Sequence, residues 1–164
     1  MANKENLIIY YSYSGNTRYV AEILQNTIGG TLASIRLEDK YPEDKEAMFI
    51  RTQKEINENC LPHLKTFPVN IYEYKKIFIG TPVWWYSASP PIKRFLKQFD
   101  FSNKLIFPFI TNEKSTGHAM NDIISVIRDG TIKTGLTVRF SGNRLLTPKM
   151  YIKTWAKRAM ETEM

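Results

Sequence analysis

The chain has 164 residues, 43% hydrophobic and 24% charged, and its 23 Lys and Arg against 16 Asp and Glu leave a net charge of +7. That is the profile of one globular domain, residues 1–164, with chain enough for a single buried core. One cysteine, Cys60, and two isolated histidines, His63 and His118, exclude a disulfide framework and a Cys- or His-rich metal centre.

Residues 1–6 lead directly into the apolar run Leu7–Tyr11, too short for a signal peptide and without a small-residue cleavage pattern, so the expected location is the cytoplasm. No apolar run approaches the roughly 18 residues of a membrane helix. The basic residues are scattered, with pairs such as Lys75-Lys76 and Lys93-Arg94 but no basic run, so neither membrane nor nucleic acid is an expected partner. The charge reads as a solvated surface that favours acidic ligands at low salt.

Leu7–Tyr11 is continuously apolar, as in a strand buried on both faces. Val20, Ala21, Leu24 and Ile28 follow helical spacing over 17–28, and Gly29-Gly30 supplies the stop. A second strand is predicted over Thr31–Leu37, a turn at Tyr41-Pro42, and a polar, weakly amphipathic helix from Lys45 to about Asn59. Lys76–Gly80 is the third strand. Ser89-Pro90-Pro91 opens a helix carrying Ile92, Phe95, Leu96 and Phe99, with proline in the first turn where its missing N–H costs nothing. Lys104–Ile110 is the fourth strand, with Pro108 marking a bulge. Met120, Ile123, Ile124 and Ile127 form a helical stripe ended by Asp129-Gly130. Thr137–Phe140 is the fifth strand. Thr147-Pro148 is the predicted N-cap and N1 pair of a last helix bearing Tyr151, Ile152, Trp155 and Ala159.

Five strands, each followed by a helix, imply an α/β fold: a three-layer, doubly wound, five-stranded parallel sheet in the order 2-1-3-4-5. Ligands of such sheets lie at the carboxyl ends of the strands, beside the switch point between the first and third. The segments after Tyr11, Gly80 and Ile110 are therefore the ones to inspect.

The first is Ser12-Tyr13-Ser14-Gly15-Asn16-Thr17, opening directly onto a helix. Side-chain donors cluster where free N–H groups and the positive end of the helix dipole point outward, a turn able to hold a phosphate with uncharged donors. The alternative is that Ser and Asn merely cap the helix. Neither the Gly-Lys-Ser/Thr of a nucleoside triphosphatase nor the G-x-G-x-x-G of a dinucleotide fold is present. The second segment, Thr81 to Ser89, carries Pro82, Val83, Trp84, Trp85 and Tyr86. Three consecutive aromatics cannot all enter a core, and one facing outward at a strand end is a platform for a flat ring; a plug on the domain's own surface or a dimer contact is the rival. The third, Thr111-Asn112-Glu113-Lys114-Ser115-Thr116-Gly117-His118, offers polar groups for a heterocycle's edge, or is a solvated turn.

A phosphate cradle, an aromatic platform and a polar edge at neighbouring strand ends describe a mononucleotide with a large planar ring. At this point the chain resembles the flavodoxin family, over roughly Leu7 to Ala159. Ser12, Ser14, Gly15 and Thr17 match the family's S/T-x-S/T-G-x-T loop, and GTPVWWYSASPPIKRFL is similar to the family's G-x-P-I-W-W-x-x-x-P-P segment. The resemblance implies a non-covalent FMN. Its phosphate is held by Ser12, Ser14, Asn16 and Thr17 with Tyr13 and Gly15. Its ring is lined by Pro82, Val83, Trp84, Trp85 and Tyr86, and is closed by Thr111, Asn112, Glu113, Lys114, Ser115 and Gly117. It also implies electron transport between redox partner proteins or, alternatively, a small NAD(P)H-dependent oxidoreductase acting on a quinone, as monomer or homodimer.

Two departures stand out. The third loop lacks the family's usual glycine-rich character, which places Lys114 as a candidate cation beside the ring, and the chain is basic where classical carriers are acidic. Rival uses of the fold fail on their residues. No Asp ends the third strand for a phosphorelay, the first loop has no Cys for a phosphatase, and Cys60 is followed six positions later by Thr66 rather than Arg. Cys60 reads as a semi-buried thiol, and His118 as helix-start polar packing rather than a proton donor.

Overall fold

The computed structural model describes residues 5–163; residues 1–4, at the head of the polar lead-in, and Met164 lie outside the described residues. β1 (Asn6–Tyr10) is buried along its whole length, as the apolar run from Leu7 requires, and the buried Asn6 amide at its start donates to the Gly29 carbonyl at 2.8 Å. α1 (Asn16–Ile28) turns Val20, Ala21 and Leu24 into the core and stops before Gly29-Gly30. β2 (Thr31–Ser34) is shorter than the predicted Thr31–Leu37. After the Ile35 N–H bonds to the Tyr10 carbonyl at 2.8 Å the chain leaves the sheet, and Leu37 instead bridges Leu64 in antiparallel fashion. α2 (Lys45–Asn57) is capped by Asp44, whose carboxylate accepts the Ala47 N–H at 3.0 Å.

β3 (Lys76–Trp84) runs four residues past the predicted end at Gly80, then folds back as β4 (Ser87–Ala88). α3 (Pro90–Gln98) begins on its proline pair, and Phe99 lies just beyond its end. β5 (Leu105–Asn112), α4 (Ala119–Val126), β6 (Thr131–Ile132), β7 (Leu136–Ser141), β8 (Arg144–Leu145) and α5 (Lys149–Glu161) complete the chain. The last helix starts one residue later than predicted, with Pro148 at the N-cap. Thr147 does not cap it; its hydroxyl accepts the Arg139 N–H at 2.8 Å.

β2, β1, β3, β5 and β7 lie side by side in parallel, the predicted 2-1-3-4-5 order. The three further strands are two-residue additions: β4 and β8 turn back on β3 and β7, and β6 pairs with the start of β5. Pro108 explains the last. From Ile106 to Phe109 is three residues, but from their partners Ile132 to Leu136 is four, so the edge bulges where proline has no N–H to offer.

Ile8, Phe78, Phe107 and Phe109 pack against α1 and α5, whereas Leu7, Ile9, Ile77 and Ile79 pack against α2, α3 and α4. Each fully buried side chain of this size contributes about 1.5–3 kcal/mol. Gly80 is required by this packing: a Cβ there would lie 2.2 Å from the Phe109 ring. Among the described residues no helix is long and apolar enough to cross a membrane.

Candidate functional site

With the strands parallel, the carboxyl ends of β1, β3 and β5 meet at one edge of the sheet, and the three segments meet with them. Gly15 is the N-cap of α1 at φ 98°, and nothing lies within 4 Å of where its Cβ would stand. The turn is thus left-handed and open above its own backbone. The Gly15 N–H reaches the Ser12 hydroxyl at 3.2 Å and the Asn16 N–H reaches Ser14 at 3.5 Å. Both are long for hydrogen bonds, so these amides are loosely held and available to a stronger acceptor. Asn16 and Thr17 are committed elsewhere. The Asn16 amide donates to the Gly142 carbonyl at 2.9 Å, and the buried Thr17 hydroxyl meets that of Thr111 at 2.7 Å. These contacts tie the first segment to the β5–β7 side.

Pro82, Val83 and Trp84 are strand residues of β3 rather than the predicted loop, because the sheet continues until Trp85-Tyr86 reverses the chain. That reversal is a two-residue turn with both residues left-handed, φ 52° and 62°. This is the hairpin geometry that Asn-Gly normally supplies, costing about 1–3 kcal/mol per non-glycine residue. The neighbours hold it. The Trp85 indole N–H donates to Thr52 Oγ1 at 3.1 Å and its ring packs edge-on against Phe49, while the Tyr86 carbonyl accepts the His118 N–H at 2.8 Å. The three aromatics point three ways. Trp84 closes a cluster with Tyr11, Tyr13 and Tyr41, Trp85 lies on α2, and Tyr86 stands 68% exposed.

Tyr41, expected in a simple turn, is buried in this wall. Its hydroxyl donates to Glu55 at 2.6 Å, and Arg51 lies 4.4 Å from its ring centroid while pairing with the other Glu55 oxygen at 3.4 Å. Burial raises the Glu55 carboxyl above its usual range, against the pull of Tyr41 and Arg51. Burial, then the neighbouring Glu55, drives the Tyr41 phenol up as well, so it stays a donor.

Thr111 and Asn112 belong to β5, again because the strand outlasts its prediction. The Asn112 Nδ2 is buried and has no partner among the described residues. Glu113 is not a free edge group. Its carboxylate accepts the Gly142 N–H at 2.8 Å and its carbonyl accepts from Arg139 at 3.2 Å, so the β7–β8 turn is clipped to both the first and third segments. Lys114 is exposed, and Ser115 accepts the Gly117 N–H at 3.0 Å. Gly117 abuts the hairpin: a Cβ there would fall 2.2 Å from the Tyr86 carbonyl oxygen.

His118 does the helix-start work expected of it. Its Nδ1 lies 2.9 Å from Asp122, which also accepts from Ser87 Oγ and the Ala88 N–H at 3.0 Å, with Lys93 at 3.8 Å. Burial opposes the Asp122 charge, but Ala88, His118, Lys93 and Ser87 together outweigh it and hold the carboxyl below the usual aspartate range. Asp122 thereby joins β4 to α4, a role that no motif signals. Cys60 is exposed rather than semi-buried and lies outside this site.

A doubly wound sheet with an open helix-start cradle, an aromatic wall and an unpartnered amide at adjoining strand ends defines the mononucleotide-binding class of α/β proteins. The flavodoxin family model matches residues 5–155, and the chain belongs to the flavodoxin family. A candidate flavoprotein from Bacteroides eggerthii is 28% identical, with a TM-score of 0.80 over 96% of this chain and 99% of that one. A second, from Bacteroides uniformis, is 24% identical with a TM-score of 0.81, covering 94% and 99%. A flavoprotein from Lactobacillus acidophilus, solved in complex with FMN, is 23% identical with a TM-score of 0.70, covering 82% and 93%. A search of curated protein sequences finds no significant match.

Proposed function

We propose that the protein binds FMN without a covalent link and works as a flavodoxin-type electron carrier. The observation that carries this reading is the juxtaposition of the Gly15 turn, with its two loosely held amides, and the buried, unpartnered Asn112 amide. A buried donor without an acceptor costs about 1–3 kcal/mol, and a ligand acceptor relieves it. The N–H groups of the 12–17 turn receive the phosphate at the positive end of α1, with the Ser12 and Ser14 hydroxyls released to donate to it. Trp84 and Tyr86 supply aromatic surface for the ring, and Asn112 a donor for its edge. Bound flavin supplies the electron storage, and the chain fixes its orientation and excludes water around it.

A second reading, an NAD(P)H-dependent oxidoreductase, is favoured by one feature: Arg18, Arg36 and Lys40 line a cavity together with Ser12, Tyr13 and Gly15 of the first segment. The experiment is to load the protein with FMN, then mix it with NADPH and a quinone. Turnover at about 1–10³ per second supports the oxidoreductase. A chemically reduced protein that passes electrons to a cytochrome but leaves NADPH and quinone unchanged supports the carrier. A protein that does not take up FMN contradicts both.

A further inference from the structure

The basic residues form no run in the sequence, but their balance along it is uneven. Residues 131–160 contain seven Lys and Arg and no Asp or Glu. Taking these seven from the 23 leaves 16 Lys and Arg against 16 Asp and Glu in the rest of the chain. The whole net charge of +7 therefore resides in the stretch from β6 to the last turn of α5.

That stretch meets the candidate site at the β7–β8 turn. The Gly142 carbonyl accepts from Asn16 at 2.9 Å and its N–H donates to the Glu113 carboxylate at 2.8 Å, so the turn is held between the first and third segments. The same contact engages the acidic group that touches the turn. Beside it, Arg144 and Lys149 are exposed, and no carboxylate pairs with either among the described residues. Leu146, Met150 and Tyr151 are exposed next to them. The Lys149 ammonium lies 5.5 Å from the ring centroid of Tyr19, itself exposed, so the surface continues across the start of α1. Arginine, methionine and tyrosine are the side chains enriched at protein interfaces. A nucleic acid would call for a denser basic stripe, and a membrane for a longer apolar face.

We propose that this face docks an acidic electron-transfer protein, bringing the partner's redox centre beside the flavin. The proposal rests on the carrier reading and adds the partner's chemistry: carboxylates around an apolar spot, opposite in sign to what an acidic carrier would need. Complementary charge speeds the encounter and fixes its orientation. Redox encounters of this kind bury less than about 1,200 Å² and part quickly, as a carrier requires.

The test is stopped-flow oxidation of the FMN-loaded, chemically reduced protein by a small acidic b-type cytochrome and by a small basic c-type cytochrome. Each ferric haem takes one electron, so two haems are reduced for each fully reduced flavin, whose protons pass to solvent. Arg144→Glu/Lys149→Glu is compared with Lys97→Glu/Arg128→Glu, an equal change of charge at exposed positions beside the far ends of α3 and α4. The rate with the acidic cytochrome should fall as salt is raised, and the rate with the basic one should not. At about 0.1 M salt, where charges more than about 10 Å away are screened, the first pair should slow the acidic cytochrome about tenfold and the second pair less than about twofold. Reoxidation by dissolved oxygen, a small uncharged acceptor, should be equal in all three proteins, which shows that the variants are folded and loaded. A salt-independent rate with the acidic cytochrome, or equal slowing by the two pairs, overturns the proposal. So does binding of duplex DNA or phosphatidylserine vesicles that is tighter than that of the acidic cytochrome and lost in Arg144→Glu/Lys149→Glu. Failure to take up FMN overturns the flavodoxin reading with it, whereas FMN uptake and oxidation by oxygen without the charge preference overturn this proposal alone.

Discussion

Gly117 and Gly142 both adopt left-handed backbone, φ 51° and 58°, but their surroundings differ. A Cβ on Gly142 meets nothing within 4 Å, whereas a Cβ on Gly117 falls 2.2 Å from the Tyr86 carbonyl oxygen and 2.6 Å from its carbonyl carbon and Cα. Alanine at either position costs about 1–2 kcal/mol for the left-handed conformation. At Gly117 the obstacle is backbone that no rotamer change relieves, so the third segment must part from the hairpin, adding roughly 1–3 kcal/mol. Gly117→Ala should therefore lose about 2–5 kcal/mol and Gly142→Ala about 1–2 kcal/mol. Urea unfolding measures the difference, and hydrogen exchange at the His118 amide, which donates to Tyr86 at 2.8 Å, locates it. Faster His118 exchange and weaker FMN binding are expected for Gly117→Ala alone. Equal destabilisation by the two substitutions, with His118 protection unchanged, would refute the idea that contact between hairpin and loop shapes the ring side of the site.

Gly80→Ala should cost about 1–3 kcal/mol by forcing the Phe109 ring aside, and Phe109→Leu in the same chain should recover part of it in thermal unfolding. Tyr41→Phe removes a donor from buried Glu55 and should destabilise by about 1–3 kcal/mol in urea. Because the folded Asp122 carboxyl titrates below its unfolded value of about 3.9, its stabilisation is complete above that pH and is lost as the pH falls through the folded value. Asp122→Asn should consequently flatten the acid limb of the stability profile below about pH 4, and an acid limb identical to that of the parent chain would count against the Asp122 hub.

The parallel sheet and its order were legible because β1, β3 and β5 are apolar on both faces and the intervening helices show helical spacing. The lengths of β3 and β5 were not. Pro82 and the aromatic run read as loop, yet Thr81 to Trp84 remain paired in the sheet. The Trp85-Tyr86 hairpin carries none of the residues its left-handed turn normally selects, and it persists through tertiary contacts with Thr52 and His118 that local sequence does not encode. The open turn at the start of α1 was legible because its polar residues run contiguously from Ser12 to Thr17 around Gly15. Tyr41, Glu55, Asp122 and Gly142 were not, since each reaches the site across long sequence separations. Pro108 is the intermediate case: its missing N–H pointed to a bulge, and the edge strand opposite it carries the extra residue.

The most direct measurement is a pair of calorimetric titrations of the flavin-free protein, one with FMN and one with riboflavin. Charge-assisted bonds from two or more amides of the 12–17 turn contribute about 1.5–3 kcal/mol each, so FMN should bind at least about 100-fold more tightly. Equal affinity for the two ligands would mean that the turn does not hold the phosphate.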